Sequence, residues 1–291
     1  MAERDHIRNP VEWGVDQLRT AGQALGQTGH ALRDHEEVRH GELPAVRKIE
    51  VADLTDALTK GLRDFAACRT DVIFLCVVYP LVGIILAASL FNYDFVPLLF
   101  PLASGFALLG PVAAVGLYEM SRRREQGKDV SWADAFGVMA TPAFGAIVVL
   151  GLILLGIFLL WLVTAYTIYQ VTMGQEGIVS LGAFYRDVFT TSGGRYLLVV
   201  GIFVGFLFAL VVLVISVVSF PMLLDRDVGL YTAVETSVRA SLANPVPIAV
   251  WGLIVAGALF IGSLPLLLGL IIVVPVLGHA TWHLYRKLVP H

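Results

Sequence analysis

The chain has 291 residues, 57% of them hydrophobic and 15% charged, with a mean hydropathy of +0.78 and a formal net charge of −3. A soluble domain carries about 25% charged residues, so this composition excludes a soluble enzyme, a disordered chain and a disulfide-rich secreted module. The balance of charge and a pI near 6.1 give no electrostatic ground for nucleic acid as a partner.

The charge is unevenly spread. Residues 1–71 hold 23 charged side chains, 10 basic and 13 acidic. Residues 1–46 read as a flexible cytoplasmic tail. Val11, Leu18, Leu25 and Leu32 recur every seven residues, but Gly22, Gly26 and Gly29 weaken any helix there. No cationic region followed by an apolar stretch opens the chain, so no cleaved signal peptide is expected. Residues 47–71 follow as an amphipathic juxtamembrane helix, with Leu54, Ala57, Leu58 and Leu62 forming a stripe suited to the membrane surface.

A crossing takes about 20 apolar residues. Residues 72–289 read as a transmembrane domain with spans at 72–91, 96–118, 143–171, 196–220, 248–264 and 265–282. Gly262-Ser263-Leu264-Pro265 supplies the turn between the last two, for which a re-entrant hairpin is the alternative. Basic residues set the orientation. Eleven Lys and Arg flank spans on one side, from Lys60 to Lys287, against Arg186 and Arg195 on the other, so both termini are expected in the cytoplasm. Cys68 and Cys76 have neither metal-ligand spacing nor a disulfide framework.

Three short segments resemble one another: Asp53-Leu-Thr-Asp-Ala-Leu58, Ser131-Trp-Ala-Asp-Ala-Phe136 and Gly229-Leu-Tyr-Thr-Ala-Val234. Each offers a helix-capping residue, and Ser131 with Asp134 has capping-box spacing. The expected fold is an all-α membrane protein of six transmembrane helices. These form three hairpins, each preceded by a cytoplasmic amphipathic helix.

Polar motifs between the apolar runs carry a family resemblance. They are Gly110-Pro-Val-Ala-Ala-Val-Gly-Leu-Tyr-Glu119, Ser121-Arg-Arg-Arg-Glu125, Ser131-Trp132, Ser219-Phe-Pro-Met-Leu-Leu-Asp-Arg-Asp-Val-Gly229, Asn244-Pro245 and Pro275-Val-Leu-Gly-His-Ala-Thr-Trp-His-Leu-Tyr-Arg286. In this order, over residues 47–289, the chain resembles the bacterial integral membrane family called domain of unknown function 2189. The resemblance implies a multi-pass inner-membrane protein and supplies no activity. A haem-copper oxidase core would need several membrane histidines, and only His279 and His283 lie near a span.

Two groups of residues are candidates for chemistry. His279 and His283 are four apart and project from one helix face, a spacing that suits a metal or haem. Trp282, Tyr285, Arg286 and Lys287 make a membrane-interface belt the competing reading, and no cofactor is expected. The second group is a cytoplasmic rim: Glu119, Arg122, Arg123, Arg124, Asp225, Arg226 and Asp227. Glu119 and Arg122 are three apart, and the Asp225–Asp227 run offers partners for the arginines, which also attract anionic headgroups. Small residues at Gly201, Gly205 and Ala209 suit close helix packing. Apart from His279, no ionisable side chain falls clearly inside a span, which argues against a charge path through the bilayer. The expected function is a non-enzymatic scaffold, assembly or lipid-organising component, with membrane lipids as partners and another membrane protein or a second copy as further candidates. The alternatives are a transporter or channel for a small or lipophilic solute, and a haem- or metal-binding protein using His279 and His283.

Overall fold

A computed structural model describes residues 43–76, 97–173, 180–265 and 267–290. The expected tail, apart from residues 43–46, lies outside the described residues, as does the 77–91 part of the first expected span. Every described element is helical.

Helix α1 (Val51–Cys76) begins one turn earlier than an Asp53 cap would place it. The Glu50 N–H donates to Asp53 Oδ2 at 3.0 Å and the Asp53 N–H donates to the Glu50 carbonyl, so Asp53 closes the first turn from inside. The helix kinks at Cys68, whose backbone leaves helical geometry. Leu54, Ala57, Gly61 and Asp64 are its buried stripe, while Leu62 is exposed. The stripe therefore faces protein, one turn-face round from the one that the apolar residues alone select.

The expected 96–118 span is divided into α2 (Leu99–Leu108), α3 (Gly110–Ala113) and α4 (Val115–Glu125). Pro111 lacks the N–H that would continue the ladder across Leu109. Gly127, at φ +71°, turns the chain out of α4. The segment Trp132–Ala140 is a 3₁₀ helix opened by Ser131, whose N–H and Oγ both donate to Asp134 Oδ2, at 2.8 and 3.0 Å.

Helix α5 (Phe144–Met173) is followed by α6 (Leu181–Thr190) and α7 (Ser192–Ser216). α5 and α7 pack closely: a Cβ on Gly193 would meet the Thr172 carbonyl oxygen at 2.1 Å. Trp161 lies beside Gly205 and stacks on Phe208, with ring centroids 5.5 Å apart. Gly201 faces open space, so only the second glycine of the expected small-residue stripe makes a contact. Helix α8 (Ser219–Asp225) continues α7 after a break at Val217–Val218. Ser237 fills that break, its Oγ accepting from the Val218 N–H and donating to the Val214 carbonyl. Without it, two main-chain groups would be buried unpaired.

Helix α9 (Leu230–Ala243) starts at Gly229 as expected, and α10 (Pro245–Ser263) follows after Asn244. The chain then turns after Ser263, with Leu267 at φ +66°, and enters α11 (Leu270–Leu288). The turn lies two residues beyond the expected one because α10 runs through Gly262 and Ser263.

Among the described residues, three stretches are long and apolar enough to cross a membrane: Phe144–Met173, Ser192–Asp225 and Pro245–Ser263. Less than a quarter of each apolar window is buried, and Leu253, Phe260, Val163 and Phe203 are each at least 60% exposed. An exposed apolar surface this extensive is a surface for lipid. Two of the other expected spans differ, and most of 72–91 lies outside the described residues. The 96–118 stretch is interrupted, and α11 is apolar only in its first half. From Gly278 onward α11 is buried in protein: Ala280, Trp282, Leu284, Tyr285 and Leu288 have no exposed surface. Its most extensive neighbour is α1.

Candidate functional site

The polar side chains of α1, α4, α8 and α11 converge on one end of the molecule. Asp64 on α1 is at the centre. Its Oδ2 accepts from Ser121 Oγ on α4 at 2.8 Å and lies 2.8 Å from His283 Nε2 on α11, while Oδ1 lies 3.1 Å from Arg124 Nε. Ser121 Oγ also lies 2.8 Å from His279 Nδ1. A carboxylate only accepts, so the single hydroxyl proton of Ser121 goes to Asp64 and His279 Nδ1–H donates to Ser121. His279 Nε2 is then left as an acceptor, buried and without a hydrogen-bond partner among the described residues. Burial pushes the Asp64 carboxyl up, but the hydrogen bonds from His283 and Ser121 and the nearby imidazoles outweigh it and hold it below the usual carboxylate value.

A second node joins α4, α8 and α11. Trp282 donates its indole N–H to Glu125 Oε2 at 3.0 Å, and Arg286 Nε donates to Glu125 Oε1 at 3.1 Å. Arg286 Nη1 and the Tyr285 hydroxyl both donate to Asp225 Oδ2, at 3.3 and 2.7 Å. Trp282 and Tyr285 are therefore anchors of a buried polar interface, and the belt reading of these two residues does not hold.

The start of α1 is held by Lys287, 2.9 Å from Asp53 and 2.8 Å from Asp56. The Lys287 and Lys60 ammonium groups draw the Asp56 carboxyl down to about 2.

The expected rim residues separate into distinct pairs. Glu119, almost fully buried, receives Arg122 Nε at 2.8 Å and Arg123 Nε at 2.7 Å. Arg123 also bonds Asp134, and Arg124 turns to Asp64. Asp225 pairs with Arg286 and Tyr285, not with the arginines of α4. Arg226 donates to the carbonyls of Val289 and Pro290, and among the described residues Asp227 forms no ion pair. Asp64, Ser121 and Glu125 are not among the candidates that the sequence offers, and Tyr285 enters there only as part of the belt. Their only signal was polar spacing on helices that otherwise look like membrane-edge segments.

The two histidines are brought together, but through Ser121 and Asp64. Among the described residues, no three His, Cys, Asp or Glu side chains are grouped to hold a metal ion. Two open grooves are lined mainly by apolar side chains, one along Leu109, Val112, Phe144 and Leu155 and the other along Ile168, Val171 and Tyr196.

Lipid-facing apolar helices beneath a polar helical rim define an integral membrane protein. Residues 99–225 match the family described as "Predicted integral membrane protein (DUF2189)". The match covers the motifs from Gly110 to Trp132 and Ser219 to Asp225, and leaves those around Asn244 and His279 outside. No curated protein and no solved structure matches the chain.

Proposed function

We propose that this protein is a multi-pass bacterial inner-membrane protein with both termini in the cytoplasm. In this reading it acts as a non-enzymatic scaffold, assembly or lipid-organising component through its cytoplasmic rim. Residues 1–46 form a tail, 47–71 the juxtamembrane helix and 72–289 the membrane domain, with six crossings in three hairpins. One observation supports the role above all: the rim's charges are used on one another. Asp64, Glu125, Asp225 and Lys287 each tie together helices far apart in sequence, which makes the rim a fixed surface on a lipid-embedded base. A fixed surface suits docking better than transport, which needs alternative packings.

The test is purification in mild detergent after chemical cross-linking in the membrane, with identification of bound protein and lipid. A stoichiometric companion, lost in an Arg286→Gln variant that still inserts, is expected. A companion-free protein that drives solute flux in proteoliposomes would overturn the reading in favour of a transporter.

A further inference from the structure

The arginines expected to meet lipid headgroups, Arg122, Arg123 and Arg124, all have carboxylate partners. A different basic cluster is left without one. Arg47, Lys48 and Arg239 are exposed and form no ion pair among the described residues. Asn244 brings them together. Its Nδ2 donates to the Arg47 carbonyl at 3.1 Å and to the Ala240 carbonyl at 3.0 Å, and its Oδ1 accepts from the Ile49 N–H at 2.7 Å. The chain around Arg47 is thereby pinned to the turn of α9 that carries Arg239.

The depth of this corner follows from α10. Its 19 residues span about 28 Å at ~1.5 Å per residue, close to the ~30 Å hydrocarbon core. If α10 crosses, Asn244 stands at the boundary and cannot sink or rise by much. The apolar surface is continuous through it: Leu242 is 73% exposed and Val246 63%, and the exposed face runs on into Leu253 and Phe260. The corner thus has greasy side chains on the membrane side and, beside them, three cations without a contacting carboxylate among the described residues, Arg47 being attracted at longer range by Asp53. Glu235 lies one turn further from α10 on the same face as Arg239, so it opposes the cations without neutralising them by contact.

We propose that the Arg47–Lys48–Arg239 corner is a binding site for the headgroup of an anionic phospholipid, whose acyl chains lie along Leu242, Val246 and α10. This inference rests on the reading of α10 as a membrane crossing. Each basic residue near a membrane surface is worth about a fivefold change in anionic-lipid affinity, and the three act on one headgroup region.

The experiment is native mass spectrometry of the full chain from nanodiscs of mixed phosphatidylglycerol and phosphatidylcholine, read as the ratio of the two lipids retained. The wild type retains phosphatidylglycerol in excess. Arg239→Gln lowers the excess about fivefold and the triple Gln variant abolishes it, whereas Lys128→Gln, an exposed cation elsewhere, leaves it unchanged. Glu235→Gln raises it, and since this variant removes charge rather than a contact it keeps the test open if the triple variant does not fold. Equal retention in wild type and Arg239→Gln would overturn the site, and so would displacement of the lipid by millimolar inorganic phosphate. Failure of α10 to insert reads out separately, as labelling of a cysteine at Ser263 from the same side as one at the exposed Ala243. That result would sink the crossing, whereas an inserted protein without lipid preference sinks only the site.

Discussion

A Cβ on Gly61 would lie 2.6 Å from the backbone nitrogen of Ala280, so α1 and α11 touch main chain to main chain where they cross. This approach brings Asp64, one turn on, against His283, one turn on from Ala280. A side chain at either crossing position would move both residues of that polar contact.

Gly61→Ala tests the crossing. In an open helix the change would stabilise by up to about 1 kcal/mol. Here the methyl meets backbone, and overpacking costs about 1–3 kcal/mol. We expect a lower melting temperature in detergent, with a larger loss for Gly61→Leu. A neutral or stabilising Gly61→Ala would mean that the helices do not cross at this point.

Asp64→Ala removes the acceptor for Ser121, His283 and Arg124 at once. Deleting one partner of a buried charged pair costs about 3–5 kcal/mol, so a strongly destabilised protein is expected, with Asp64→Asn intermediate. The same carboxylate gives an acid limit. Its folded value is lowered, so its contribution is complete above the unfolded value of about 3.9. The contribution disappears as pH falls through the folded value. Thermal melts of wild type should drop below about pH 4 by more than those of Asp64→Asn, and parallel curves would contradict this.

Lys287→Gln releases Asp53 and Asp56 from the end of α11. Asp56 is nearly half exposed, so the pair is screened and the loss should stay below about 1 kcal/mol. The expected signature is local: faster amide exchange over 51–56, with the remainder of α1 unchanged. Adding salt to the wild type should reproduce part of it. Uniform exchange along α1 would argue against a clamp at its start.

Asn244→Ala leaves the Ile49 N–H and the Arg47 carbonyl without partners, at about 1–3 kcal/mol for the buried group. Asn244→Asp keeps an acceptor for Ile49 but loses both donated bonds, so it should fall between wild type and Ala. A limited-proteolysis assay cutting within 43–50 reads the effect directly. Equal protection in all three proteins would remove Asn244 from its anchoring role.

Orientation is checked with single cysteines. Lys128→Cys should react with a membrane-impermeant reagent only from the cytoplasmic side, and Arg186→Cys only from the other side. Gly127 is a poor probe, because its positive φ would strain a cysteine. Reversed labelling of the pair would invert the protein.

The long apolar runs were legible as helices because hydrophobicity over ~20 residues is a local property. The expected spans at 143–171, 196–220 and 248–264 fall within a few residues of Phe144–Met173, Ser192–Asp225 and Pro245–Ser263. Glu119 with Arg122 and Ser131 with Asp134 were also legible, each pair lying on one turn. Asp64 was not. Its partners at 121, 279 and 283 are brought to it only by tertiary packing, and no spacing within 47–71 reveals them. The same limit hides the burial of the second half of α11, where histidines and aromatics beside a basic end imitate a membrane edge. Their burial comes from α1 and α4, which hydropathy along one helix cannot register.

Asp64 and His283 are 219 residues apart in the chain. At about 5–20 residues per second a ribosome takes roughly 10–45 s to make what lies between them. Throughout that interval the face of α1 carrying Leu54, Ala57 and Asp64 has no α11 to lie against. The polar rim is therefore a late event in the life of each molecule, completed after the lipid-embedded helices have been made. A ribosome that stalls before α11 leaves a protein inserted in the bilayer with its α1 face open to whatever quality-control machinery patrols the membrane surface.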